Sequence, residues 1–172
     1  MIETFALVLS KPVSVDEVRL ALSANIPPER LQIEADSERL GFEASVFAAS
    51  VETTADPHWP CTVCVWVCPL DLGLGEYPDL RVAIELCRRL ACDALCGNQP
   101  FLTGLDPHDP YYSIAYIDGS WFLASTAGTR LMGPYSNGKE KFAGDASVRL
   151  LHRLEIPADT LRLSLHYSSK KI

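Results

Sequence analysis

The chain has 172 residues, of which 48 % are hydrophobic and 22 % charged, and carries a formal net charge of −7. That length and apolar content suit one domain, 1–172, with a sizeable core, and no apolar run approaches the roughly 20 residues of a membrane span. The acidic balance argues against gripping a nucleic-acid backbone, which takes clustered Lys and Arg, and favours encounter with a basic protein.

Residues 2–10 are apolar on both faces and read as an inner strand. They follow an N-terminus with no basic region, so a signal peptide is not expected. Ser14-Val-Asp-Glu17 has the pattern of a capping box opening a short helix, with Val15, Val18, Leu22 and Ile26 on one face. Residues 31–36 and 40–48 both alternate, with Ser37-Glu38-Arg39 as a turn between them. The pattern predicts an antiparallel hairpin whose wet face carries Glu34, Asp36 and Glu43. Residues 53–60 form a loop, and Cys61–Cys68 (CTVCVWVC) is β-forming and apolar on both sides, as in a central strand.

Residues 79–96 give the clearest amphipathic helix. Leu80, Ala83, Ile84, Cys87, Leu90, Ala91, Ala94 and Leu95 share an arc, opposite Arg81, Glu85, Arg88 and Arg89 on a solvated side. Pro78 and Asp79 suit its start, and Gly97 and Pro100 suit its end. Residues 98–110 read as a long loop. Residues 111–117, Asp118-Gly119 and 120–125 form a hairpin signal whose register sets Tyr116 against Trp121 and Ile114 against Leu123. Residues 126–144 read as irregular, 146–154 as a short helix and 160–167 as a final strand. The whole is an α+β fold, a mostly antiparallel sheet with two main helices on one face.

Six cysteines without a secretion signal point to free thiols in a reducing, cytoplasmic setting. His58, Cys61, Cys64 and Cys68 have the look of a zinc run. Cys61 and Cys64 fall on opposite faces of a strand, however, and no second CxxC follows, so buried thiols are the better reading. Cys64 and Cys68 share a face in that strand. Cys92 and Cys96, at i and i+4, fall on the polar side of the helix, where another element would cover them. Asp106, His108 and Asp109 form the densest ionisable loop, but no nucleophile elbow accompanies them. Gly73 and Gly75 lack a phosphate-loop pattern. No cofactor, no metal and no enzymatic activity are expected.

Aromatic side chains beside acids in loops suit a protein-binding rim. Trp59, Asp71, Glu76, Tyr77, Asp106, His108, Asp109 and Tyr111 are the candidate partner-binding residues. The acids of the wet hairpin face are the alternative surface.

The run RVAIELCRRLACDAL, the long loop and YYSIAYIDGSWFLAS resemble bacterial immunity proteins of interbacterial toxin systems. The resemblance spans residues 79–125, under a third of the chain. It implies a small acidic cytoplasmic α+β protein that occludes the active site of a cognate toxin, whose cleft would be basic if it handles nucleotides. It transfers no individual site residue. Two other classes fit the sequence: a small enzyme built on His108 and a carboxylate, and a secretion adaptor or chaperone with an exposed apolar groove.

Overall fold

The computed structural model describes residues 2–97, 111–131 and 146–156. The expected final strand at 160–167 and the loop at 98–110 lie outside them. Among the described residues, eight strands form one sheet: β1 (Ile2–Leu9), β2 (Leu31–Glu34), β3 (Phe47–Thr53), β4 (Cys61–Pro69), β5 (Ala94–Cys96), β6 (Tyr112–Ile117), β7 (Ser120–Ser125) and β8 (Arg149–Leu154). Their order is β2-β3-β4-β1-β5-β6-β7-β8, and every pairing except β2 with β3 is antiparallel. Two α-helices, α1 (Val15–Leu22) and α2 (Pro78–Leu90), complete an α+β fold.

The helices bury their apolar sides in one cluster with the sheet. Val18 and Leu22 of α1, Leu80, Ala83 and Leu86 of α2, and Leu7, Leu9, Ile33, Phe47, Val63 and Ile114 of the strands all belong to it. The start of α1 is set locally. The Ser14 hydroxyl accepts from the Glu17 N–H, and the Glu17 carboxylate accepts from the Ser14 N–H. Both groups would otherwise be orphans at a helix end. Ser14→Ala is expected to cost about 1 kcal/mol, read as a lower urea midpoint at unchanged m-value.

The Asp-Gly hairpin forms in the expected register, Tyr116 opposite Trp121 and Ile114 opposite Leu123. Asp118 and Gly119 both have positive φ, 48° and 75°, as a two-residue turn of this hand requires. The Tyr116 and Trp121 rings lie 4.5 Å apart between centroids.

Four expectations are corrected. First, residues 31–48 do not make a hairpin, because β2 runs parallel to β3. The Asp36 carboxylate accepts from the Glu38 N–H and winds 37–39 into a short helical turn. The chain then needs residues 40–46 to carry it back to the same end of the sheet, as a parallel pairing demands. Second, α2 stops at Leu90 instead of running to Cys96. Ala91 takes a left-handed conformation (φ 49°), and 94–96 become β5, laddered to β1 and β6 on its two sides. Third, residues 149–154 are a strand, paired along β7, rather than part of a helix. In both of these segments, bonding to a neighbouring strand overrides helix propensity. Fourth, Arg81 and Glu85 do not face solvent, being 5 % and 4 % exposed. Arg88 and Arg89 both bond the Glu85 carboxylate. Burial pushes its pKa up, but the bonds from Arg89 and Arg88 outweigh this and hold it below the usual carboxylate range.

Candidate functional site: an aromatic and acidic sheet face

The sheet face opposite the helices is covered unevenly. Over β5, β6 and β7, Trp59 packs on Leu95, Ala115 and Ala124, joined by Val8, Ile117 and Phe122. The 54–60 loop that delivers it is fixed by Asp56, whose carboxylate accepts from the N–H groups of His58 (2.9 Å) and Trp59 (3.2 Å). Over β2, β3 and β4 the cover is thinner, and part of the face is open.

That open part is built by strand alternation and one irregularity. In β2, Leu31 and Ile33 enter the core, so Gln32 and Glu34 take the other face. In β3 the same alternation places Ser50 and Glu52 there, and in β4 Thr62, Cys64 and Trp66. Pairing sets Glu34 beside Ser50, Ser50 beside Cys64, and Cys64 beside Ala6. These positions carry two glutamates and neither Lys nor Arg.

The register shifts between Val65 and Val67 against β3, and again against β1. A bulge of this kind lets two residues oppose one and reverses the alternation beyond it. Trp66, at the bulge, is 40 % exposed. Beyond it, Cys68 joins Cys61 in the main core, while Val67 meets Leu40 and Ala48 on the opposite face. The expectation that Cys64 and Cys68 share a face is therefore corrected: the bulge sets them on opposite sides. Among the described residues, no three His, Cys, Asp or Glu side chains are placed to hold a metal ion.

Hydrogen bonds fix the exposed groups. Trp66 Nε1 donates to Ser50 Oγ (2.9 Å), and Ser50 Oγ donates to Glu52 Oε1 (2.8 Å). Ser50 itself is fully buried. The Cys64 thiol also meets Ser50, yet burial pushes its pKa up to about 11, and nearby Glu52 adds to that, so it stays protonated. Gln32 holds the neighbouring loop by both ends of its amide. Its Nε2 donates to the Arg39 carbonyl (3.2 Å), and its Oε1 accepts from the Gly41 N–H (3.0 Å). Leu40 is thereby buried, and Phe42 is carried edge-on to Trp66, with ring centroids 6.4 Å apart at 76°. Phe42 is 61 % exposed. The result is a pair of oriented aromatic rings beside the hydrogen-bonded Glu52 carboxylate.

Compared with family models, with curated proteins and with solved structures, the chain gives no match. No helix among the described residues is long and apolar enough to cross a membrane.

Of the loop residues expected to bind a partner, five lie among the described residues. Trp59 is only 8 % exposed, so it anchors its loop to the sheet instead of standing at a rim. Asp71 pairs with Arg30 at 2.7 Å, and Arg30 also donates to the Ser45 carbonyl, close to the β2–β3 edge. Glu76 and Tyr77 line a cavity of about 320 Å³ with Glu3 and Asp79, where α2 begins. Tyr111, 38 % exposed, lies beside the β6–β7 pair, its carbonyl accepting from the Thr126 N–H (2.8 Å). Asp106, His108 and Asp109 lie outside the described residues. Of the alternative surface, Glu34 belongs to the open face, and Glu43 follows Phe42 in the loop over it.

Sequence reasoning missed Trp66, placed in a central strand apolar on both sides, and Phe42, placed on the inward side of an alternating strand. A signal for Trp66 was present: it shares the phase of Thr62 and Cys64, not that of Val63 and Val65.

Proposed function

We propose that this protein is an inhibitory binding protein of the immunity type, which neutralises a cognate toxin by covering a basic active-site cleft. The observation that carries the reading is the open face of β2–β4, where Trp66 and Phe42 stand beside Glu34 and Glu52. Aromatic anchors held in place by packing and hydrogen bonds lose little side-chain freedom on binding, which is how hot spots concentrate affinity. Carboxylates meet a phosphate-binding cleft with complementary charge and speed its capture. The net charge of −7 acts in the same direction at longer range. The resemblance of residues 79–125 to immunity proteins supplies the biological class.

The test couples binding to protection. The tagged protein is used to capture partners from its source cells at low salt. A bound protein is then expressed alone and together with this chain. The reading requires that the partner is toxic alone, harmless in co-expression, and released by moderate salt. E34K with E52K is expected to lower affinity about tenfold or more, from the loss and reversal of two cross-interface attractions. A captured partner that is not toxic, or whose toxicity is unchanged by co-expression, would overturn the immunity reading. A tight, protective complex indifferent to E34K/E52K and to Phe42→Ala would instead remove this face from it.

A further inference from the structure

A second constellation lies at the C-terminal end of α2, on the helix side of the sheet and apart from the aromatic face. The Cys87 carbonyl accepts from the N–H groups of both Ala91 and Cys92, the latter at 3.3 Å, while Ala91 is left-handed. That closure brings together the side chains three residues inside the helix end and two beyond it. Here both are cysteines, side by side at the helix end.

The Cys92 backbone is pinned on its far side as well. Ser10 N–H donates to the Asp93 carbonyl (3.0 Å), Ser10 Oγ accepts from the Asp93 N–H (2.8 Å), and the Asp93 carboxylate accepts from the Asp118 N–H (3.2 Å). Both thiols line a cavity of about 500 Å³, with Arg88, Asp93, Tyr116 and Asp118 also on its wall. Cys92 is partly exposed, whereas Cys87 is 6 % exposed. Lys11 reaches the same helix end, its ammonium donating to the Leu90 carbonyl.

We propose that Cys87 and Cys92 form a peroxide-oxidisable dithiol site, with Cys92 the attacking sulfur and Cys87 the resolving one. The small oxidant enters through the cavity. The Cys92 thiolate attacks one oxygen of hydrogen peroxide; an S–O bond forms, the O–O bond breaks, and the leaving hydroxide takes up a proton to become water. The Cys87 sulfur then attacks the resulting Cys92 sulfenic acid. An S–S bond forms, the S–O bond breaks, and the departing oxygen leaves as water with the Cys87 proton. Two thiols and one peroxide give one disulfide and two waters.

The electrostatics suit these roles. The neighbouring Cys87 thiol, aided by the Lys11 charge, holds the Cys92 thiol below its usual range, against burial and Asp93. The neighbouring Cys92 thiol, together with burial, pushes the Cys87 thiol up. Cys64 provides an internal reference: it is likewise partly exposed, but its thiol is pushed up to about 11.

The experiment treats the intact protein with hydrogen peroxide near neutral pH, then alkylates, digests and maps each cysteine by mass. Cleavage after Arg88 and Arg89 separates Cys87 from Cys92. The expected product has lost two hydrogens and links those two peptides, and Cys92 reacts about tenfold or more faster than Cys64. In Cys87→Ser, dimedone is expected to trap a sulfenic acid on Cys92. Equal rates at Cys92 and Cys64, or a disulfide that joins Cys92 to Cys61 or Cys96 instead, would overturn the proposal in the unmutated protein, whether or not the variant folds.

Discussion

Replacing Trp66 with alanine is expected to weaken the complex with the cognate partner about 30-fold or more, on the order of 2–4 kcal/mol, while leaving the fold intact. The two effects separate because of where the ring stands. Its indole N–H is bonded to Ser50 and its ring packs at a steep angle to Phe42, yet 40 % of the residue faces solvent. Truncation removes only the buried remainder of the residue from the folded chain, and the cost to stability is about 2–3 kcal/mol, which lowers the melt without abolishing the fold. In a complex the same ring would be wholly covered, and the loss would include its contact area and the order it imposes on Ser50 and Glu52. Phe42→Ala is expected to cost less, because Phe42 sits on a loop and has no polar tether. Titration calorimetry with the purified partner measures the affinities, and thermal melts of the free variants check the fold. An unchanged affinity for Trp66→Ala, in a variant that still melts cooperatively, would place the contact elsewhere on the molecule.

How far the sequence carried depends on the range of the forces involved. The β6–β7 hairpin was legible down to its register, because a two-residue turn with positive φ and two flanking β-rich runs leave little else to specify. The capping box of α1 was legible for the same reason: both partners lie within four residues. The parallel pairing of β2 with β3 was not legible. The alternation of residues 40–46 mimics a strand, but Gln32 and Leu40 hold that segment across the face as a loop. Nor could the end of α2 be placed. Ala94, Leu95 and Cys96 continue the helical stripe perfectly well, and only the presence of β1 and β6 on either side makes them a strand. The site suffered from both problems. Trp66 shares the phase of Thr62 and Cys64, but a strand apolar on both sides does not say which face stays open, and Phe42 owes its position to the misread loop. What composition did convey was the charge, which is the part of the binding argument that acts at long range.

Asp79 offers the other large effect, through pH. It occupies the first turn of α2, where N–H groups favour a carboxylate. Burial opposes them and prevails: its pKa is pushed up to about 6, with Glu3 contributing in the same direction. In the unfolded chain it should titrate near the ordinary value for Asp, 3.8. A carboxyl whose folded pKa is raised stabilises the fold while protonated. Its contribution is fully present below about pH 4 and is lost as the pH rises through about 6. The rise from 3.8 to about 6 corresponds to about 3 kcal/mol. Asp79→Asn keeps the shape and accepts from the same N–H groups without the buried charge. It is expected to be more stable than the parent by about 2–3 kcal/mol at pH 7.5, and by much less at about pH 4. Glu17, Asp71 and Glu85, whose pKa values are lowered, act in the opposite sense and lose their contribution in acid. The parent's own pH profile therefore sums opposed contributions, and the difference between parent and Asp79→Asn isolates this one group. Urea unfolding of both proteins at the two pH values measures it. A variant no more stable than the parent at the higher pH would mean that the charged carboxylate is fully compensated where it stands, and that the first turn of α2 solvates it better than its burial suggests.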